Sequence, residues 1–161
     1  VTQAGLLEKH DGALDGAMGV RLWLRLLSAT MIVEKRVRRR FAEQFETTLP
    51  RFDILAALDR QPGGMTMSEL SRTLLVSNGN VTALVQTLAS DGLLSVAQSA
   101  TDRRVSTVAL TAAGATRFAE MATTHRAWIE AMFAGLTAYE KTALFDLLGT
   151  LKTSIADEEQ P

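Results

Sequence analysis

The chain of 161 residues contains no cysteine. That absence removes disulfide scaffolding, thiolate zinc sites, cysteine nucleophiles and thiol redox sensing together. No apolar run approaches the roughly 20 residues that a bilayer-crossing helix needs, and the first residues show no basic segment followed by an apolar stretch. The sequence therefore predicts a cytoplasmic protein. An excess of charge is lacking too: 17 Lys and Arg stand against 18 Asp and Glu, so the distribution of charge says more about partners than its sum. Histidine is scarce. His10 and His125 lie in unrelated contexts, with no His or Cys neighbour at metal-ligand spacing, and no carboxylate pair, glycine-rich phosphate loop or nucleophile elbow accompanies them. No enzyme, no bound metal and no cofactor are expected.

What is present is a pattern of helices. A mass of 17.5 kDa with 47% hydrophobic residues suits one packed domain. Residues 1–16 show scattered Gly and Asp without a sustained period and read as an N-terminal arm. From Val20 onward, Trp23, Leu24, Leu27 and Met31 recur at helical spacing, and Val33, Val37, Phe41 and Phe45 continue on a slowly rotating stripe, which predicts one long helix. Pro50 suits the first turn of a second helix carrying Ile54, Leu55 and Leu58 inward, and Gln61-Pro62-Gly63-Gly64 ends it. Thr66-Met67-Ser68-Glu69 has the spacing of a capping box and predicts a short helix to about Leu74. Ser77 is placed to cap the next, whose Val81, Leu84, Val85 and Leu88 form one apolar face, with Asp91-Gly92 as its stop. Two helices separated by about three residues are a helix-turn-helix candidate.

Beyond Gly92 the period shifts toward two. Leu94 and Val96 lead into "QSATDRR", and Val105, Thr107 and Ala109 alternate with Ser106, Val108 and Leu110 on the return, which predicts a β-hairpin. Helical spacing resumes at Thr111, with Phe118, Met121, Ala122, His125, Trp128, Ile129, Met132 and Phe133 on one stripe to about Gly135. A second capping box, Thr137 to Glu140, opens a last helix with Leu144, Leu147, Leu148, Leu151 and Ile155. The fold class is thus mainly α with one small β-hairpin.

A helix-turn-helix followed at once by a ribbon is the element order of a winged-helix DNA-binding domain. The stretch "DRRVSTVALTAAG" resembles the wing signature of MarR-type regulators, an Asp-x-Arg tip followed by a strand ending Leu-Thr-x-x-Gly. Together with "MTMSELSRTLLVSNGNVTALVQTLASDGLL" and long helices at both ends, the resemblance covers about residues 20 to 156. It implies a single domain over 1–161, with a winged helix-turn-helix lobe at 50–110 and dimerisation helices at 17–48 and 111–156. It further implies a homodimer on double-stranded DNA with dyad symmetry, and a regulator, here expected to be a repressor of aromatic-compound catabolism released by a small-molecule effector.

Ser77, Asn78, Asn80, Thr82 and Gln86 fall on or beside the predicted recognition helix, which fits the B-DNA major groove and offers side chains suited to adenine and thymine edges. The resemblance puts Arg104 in the minor groove, held by Asp102, with Arg103 near phosphate. That helix carries no Lys or Arg, so cationic contact must come from Arg72, the wing and other surfaces. A second basic group, "EKRVRRR" with Arg36, Arg39 and Arg40, is either a solvated face or an anion site. Trp23, Phe52, His125 and Trp128 are the candidate apolar slot for an aromatic carboxylate, with Arg21 or Arg51 as anchor; the arginine cluster would add phosphate contacts for an aromatic acyl-CoA, which ranks slightly ahead of the free acid because the cations exceed what one carboxylate requires. The rival reading, a winged-helix protein-interaction module without small-molecule sensing, leaves the wing arginines unexplained.

Overall fold

The computed structural model describes residues 18–74, 78–98 and 106–158. The expected N-terminal arm, the Ser77 cap and the wing tip with Asp102, Arg103 and Arg104 lie outside the described residues. Among the described residues the elements follow in the order α1 (Met18–Phe45), α2 (Leu49–Asp59), β1 (Met65–Thr66), α3 (Met67–Leu74), α4 (Asn78–Ser90), β2 (Leu94–Gln98), β3 (Ser106–Leu110), α5 (Ala112–Met132) and α6 (Ala138–Glu158). The chain forms two compact units, Val1–Thr123 and Thr124–Pro161. Among the described residues, no helix is long and apolar enough to cross a membrane, and no group of three His, Cys, Asp or Glu side chains could hold a metal ion.

Local chemistry sets the element ends. Pro50 occupies the first turn of α2, where no N–H is needed. Thr66 and Glu69 form the expected box: the Glu69 N–H donates to Thr66 Oγ1 at 3.3 Å, and the Thr66 N–H donates to Glu69 Oε2 at 2.7 Å. Thr137 and Glu140 repeat it at 3.2 and 2.8 Å. These hydrogen bonds hold both exposed carboxyls below the usual glutamate range. At the end of α4, Gly92 takes φ 73° while its N–H donates to the Ala89 carbonyl and the Leu93 N–H to the Leu88 carbonyl, both at 3.0 Å. This is the left-handed Schellman stop that the Asp91-Gly92 pair predicts.

The sheet has one strand more than the hairpin. β2 and β3 pair antiparallel from Leu94↔Leu110 to Gln98↔Ser106, and β1 pairs with the other edge of β3 through Met65↔Val108 and Thr66↔Thr107. Gly64, at φ 80°, makes that approach possible, because a Cβ there would stand 2.7 Å from the Val108 carbonyl oxygen. A two-residue strand has no period to betray it in the sequence.

The first unit packs around Phe41, Ile54, Leu55, Leu58, Leu70, Val81, Leu88, Val108 and Met121, all fully buried. This core does not stop at residue 50 or 110. Phe41 from α1 lies 4.7 Å from Phe52 of α2, and Phe52 lies 5.6 Å from Phe118 of α5, so the second half of α1 and the start of α5 complete the lobe. Arg117 of α5 donates to the Phe45 carbonyl at 3.0 Å and covers the Phe45 ring, supplying the cation that the last turn of α1 lacks. In the second unit, the end of α5 turns through Ala134 and Gly135 into α6, with Lys141 paired to Glu130 at 3.3 Å.

Asp53 of α2 is half-buried, and burial pushes its carboxyl from 3.8 up to about 6, against the pull of Arg38 and Arg60 and with the push of Glu34. A carboxyl raised in the folded state favours the protonated form. Its cost is absent at low pH, grows as pH rises from 3.8 towards about 6, and is complete above that. Asp53→Asn should therefore stabilise the protein at pH 7.5 by on the order of 1 kcal/mol, after allowance for solvent screening, and by nothing below pH 4. Thermal melts of the two proteins across that range check this; parallel curves at all pH values would contradict it.

Candidate nucleic-acid interface

The α4 helix has two unlike faces. Val81, Val85 and Leu88 are buried in the first unit, while Asn80, Thr82 and Gln86 are exposed on the other side. Thr87 is exposed too, but its hydroxyl donates to the Ala83 carbonyl at 3.0 Å. The exposed face thus presents amides rather than charges, and amides can exchange paired hydrogen bonds with adenine. Asn78 opens the helix. On α3, Arg72 is exposed and its Nε donates to the Ser68 carbonyl at 3.4 Å. It borders an open groove of about 420 Å³, lined by Gln61, Gly64, Met65, Glu69, Arg72 and Thr73.

The hairpin is tied to α4 by its root. Thr111 donates its N–H to the Leu93 carbonyl at 3.1 Å and its hydroxyl to the Gly92 carbonyl at 2.7 Å, and Oγ1 accepts from the Gly114 N–H at 3.0 Å. One threonine thereby caps α5 and joins it to the α4 stop. Gly114 meets the same joint: a Cβ on it would lie 2.0 Å from the Leu93 carbonyl oxygen. The Leu-Thr-x-x-Gly end of the wing signature is thus a structural hinge pin for the base of the hairpin, in which the Thr and the Gly have separate and necessary parts.

A model of the MarR family (MarR_2) matches residues 46–105, which run from the residue after α1 to the residue before β3. The transcriptional activatory protein BadR of Rhodopseudomonas palustris is 32% identical over 108 residues, 65% of this chain. A MarR family transcriptional regulator from Silicibacter pomeroyi superimposes with a TM-score of 0.72 at 29% identity, over 84% of this chain and 94% of that one. Over these residues the chain is similar to the MarR family. The chain spans 61% of the BadR sequence. The DNA-bound MepR of S. aureus shares the fold, with a TM-score of 0.70 at 19% identity over 86% of this chain and 99% of MepR. BadR carries the name of a transcriptional activatory protein, and the Silicibacter pomeroyi protein that of a transcriptional regulator.

Within the first unit, Trp23, Phe52 and the arginines of α1 have different surroundings. Phe52 is 6% exposed, its ring occupied by Phe41 and Phe118. Trp23 is 57% exposed on α1. Arg36 and Arg39 are exposed on the same helix and Arg40 is partly so, but at about 100° per residue all three lie roughly 100° or more around the axis from Trp23. Two neighbouring cations are paired along the helix, Arg38 with Glu34 at 2.6 Å and Arg39 with Glu43 at 3.7 Å. In the second unit, Trp128 is buried, and the half-buried His125 meets its ring edge-on at 6.4 Å. Burial holds His125 below the ordinary histidine value, which favours its uncharged form. Arg51, expected as a ligand anchor, forms an ion pair with Asp91. The sequence offers one signal for that pair, two charges placed at unsuitable helix ends.

Proposed function

We propose that this chain is a DNA-binding transcriptional regulator that works as a homodimer in the cytoplasm. The observation that carries the reading is α4, its apolar face locked into the lobe and its amide-bearing face turned out beside a hairpin rooted on its own terminus. A helix so mounted can enter a major groove while the wing reaches the adjacent minor groove. The wing arginines, Arg103 and Arg104, supply the charge that α4 lacks, with Arg72 adding phosphate contact from α3.

The test is selection of duplexes from a random-sequence pool, followed by titration at several salt concentrations. Arg104→Ala should weaken binding to the selected duplex by about 1–3 kcal/mol with the fold intact. Gln86→Ala should change the preferred bases and leave the salt dependence unaltered, because Gln carries no charge. Failure of the wild-type protein to enrich any duplex would sink the regulator reading in favour of a protein-interaction module.

Dimerisation follows from surface that a monomer leaves uncovered. Met18 is 70% exposed, Phe145 78% and Leu147 69%, on the two terminal helices. Along the first half of α1, apolar side chains occupy most of the circumference, a pattern that belongs to helices enclosed by protein. A second copy of the chain supplies the cover and sets two recognition helices on dyad-related half-sites about one DNA turn apart. Leu147→Asp puts a charge on an exposed position, so sedimentation should show a shift from dimer to monomer; an unchanged dimer would contradict the assignment of α6 to the interface.

The effector in this reading is an aromatic carboxylate, and its binding releases DNA from a repressor. The acyl-CoA alternative is less well supported, because Trp23 and the Arg36, Arg39, Arg40 group occupy different sides of α1 and Arg39 is already paired. Calorimetry with benzoate, benzoyl-CoA and CoA alone separates the two. A fall in target transcription on deletion of the gene would replace repression by activation.

A further inference from the structure

The ion pair between Arg51 and Asp91 joins side chains 40 residues apart, with Arg51 Nη2 donating to Asp91 Oδ2. Each charge is at the wrong end of its own helix. Arg51 is in the first turn of α2, where exposed N–H groups give a positive field, and α2 has no acid there. Asp91 follows the last residue of α4, where unpaired carbonyls give a negative field, and α4 has no base in its last turn. Alone, each charge would weaken its helix; together, they cancel the two conflicts at one relative placement of α2 and α4. The pair is also partly withdrawn from water, with the Arg51 side chain 23% exposed and Asp91 44%. Among the described residues, the buried Nε of Arg51 has no acceptor. A contact that carries desolvation and an unmet donor adds little to stability and much to geometry.

We propose that Arg51 and Asp91 are positioning residues, a clamp that fixes the C-terminal end of the recognition helix α4 against the start of α2. The other side of that end is already held, by Thr111 on the Gly92 carbonyl and by the Leu93 carbonyl under Gly114. Arg51 supplies the opposing hold. Its neighbour Phe52 is packed between Phe41 and Phe118, so the clamp is anchored in the aromatic core rather than in a loop. The proposal rests on the regulator reading for its purpose and on the packing of the first unit for its mechanics.

Two readouts on the full chain test these separately. Hydrogen exchange at the Asp91, Gly92 and Leu93 amides, which donate to the Thr87, Ala89 and Leu88 carbonyls, reports the clamp without DNA. In Asp91→Asn and in the apolar pair Arg51→Met/Asp91→Leu, these three amides should exchange at least tenfold faster, while exchange in the middle of α2 and the melting temperature of the apolar pair stay near wild type. Affinity for a duplex selected by the wild-type protein should fall at least tenfold in both variants, with affinity for a scrambled duplex unchanged. Restoring the charge with Arg51→Lys on an intact Asp91 should recover part of the selected-duplex affinity relative to Arg51→Met. Unchanged exchange at the three amides overturns the clamp, as does acceleration throughout the lobe, which would make the pair a general support. Faster local exchange with undiminished selected-duplex affinity overturns its positioning role. If the wild-type protein enriches no duplex, the regulator reading falls and exchange alone decides the clamp.

Discussion

Gly114→Ala is expected to destabilise the protein by more than about 3 kcal/mol, near the extreme for a single methyl group. The added Cβ would be 2.0 Å from the Leu93 carbonyl oxygen, a backbone atom fixed by its hydrogen bond from the Thr111 N–H. No rotamer change relieves that overlap. Either α5 lifts away from the α4 stop, which pulls the Gly114 N–H from Thr111 Oγ1, or the Leu93 peptide turns and abandons Thr111. The first route loses a helix cap and the second a backbone hydrogen bond, each about 1 kcal/mol, in addition to the overpacking cost. Gly149→Ala in the middle of α6 is the internal contrast, since nothing lies within 4 Å of its Cβ position. There the change should be neutral or favourable by up to about 1 kcal/mol, through helix propensity. Urea unfolding of both variants checks the pair; a Gly114→Ala midpoint close to wild type would show that the joint relaxes easily.

The second large effect belongs to Phe41→Ala, expected to cost about 3–5 kcal/mol. Phe41 is fully buried, its ring 4.7 Å from Phe52 and 6.1 Å from Phe45. Together with the buried Val37 it packs α1 into the lobe's core, so its removal leaves a void that rigid helices on two sides cannot close. Unfolding should become less cooperative as α1 detaches. Phe41→Leu, which keeps most of the volume, should recover over half of the loss. Equal stability of the alanine and leucine variants would mean that the aromatic cluster closes over the void.

Much of this architecture is legible in the sequence because its causes are local. Both capping boxes, Pro50 in the first turn, the α4 stripe and the Gly92 stop depend on residues within a few positions of each other. The contributions that escape are those that join distant segments. Met65 and Val108 pair across the chain with nothing in either neighbourhood to announce it. Trp23 and Phe52 are both aromatic residues at helical spacing, yet one is exposed and the other is core, a difference set by what packs on each helix. Arg51 attracts notice as a spare cation near apolar residues; only the fold supplies Asp91. The Leu-Thr-x-x-Gly string is recognisable by resemblance, whereas its physical cause becomes visible only when Gly92, Leu93 and Thr111 are seen together.

The brevity of β1 has a consequence for how the molecule acquires its structure. Two residues cannot hold a strand by themselves, and the closure between Met65 and Val108 spans the whole of α3, α4 and β2. That pairing therefore forms late, once the hairpin and the helix-turn-helix have met, and it ties the first-formed and last-formed parts into a single transition. Substitutions at Gly64 should accordingly speed unfolding more than they slow folding, a low-φ signature that a chevron plot would reveal.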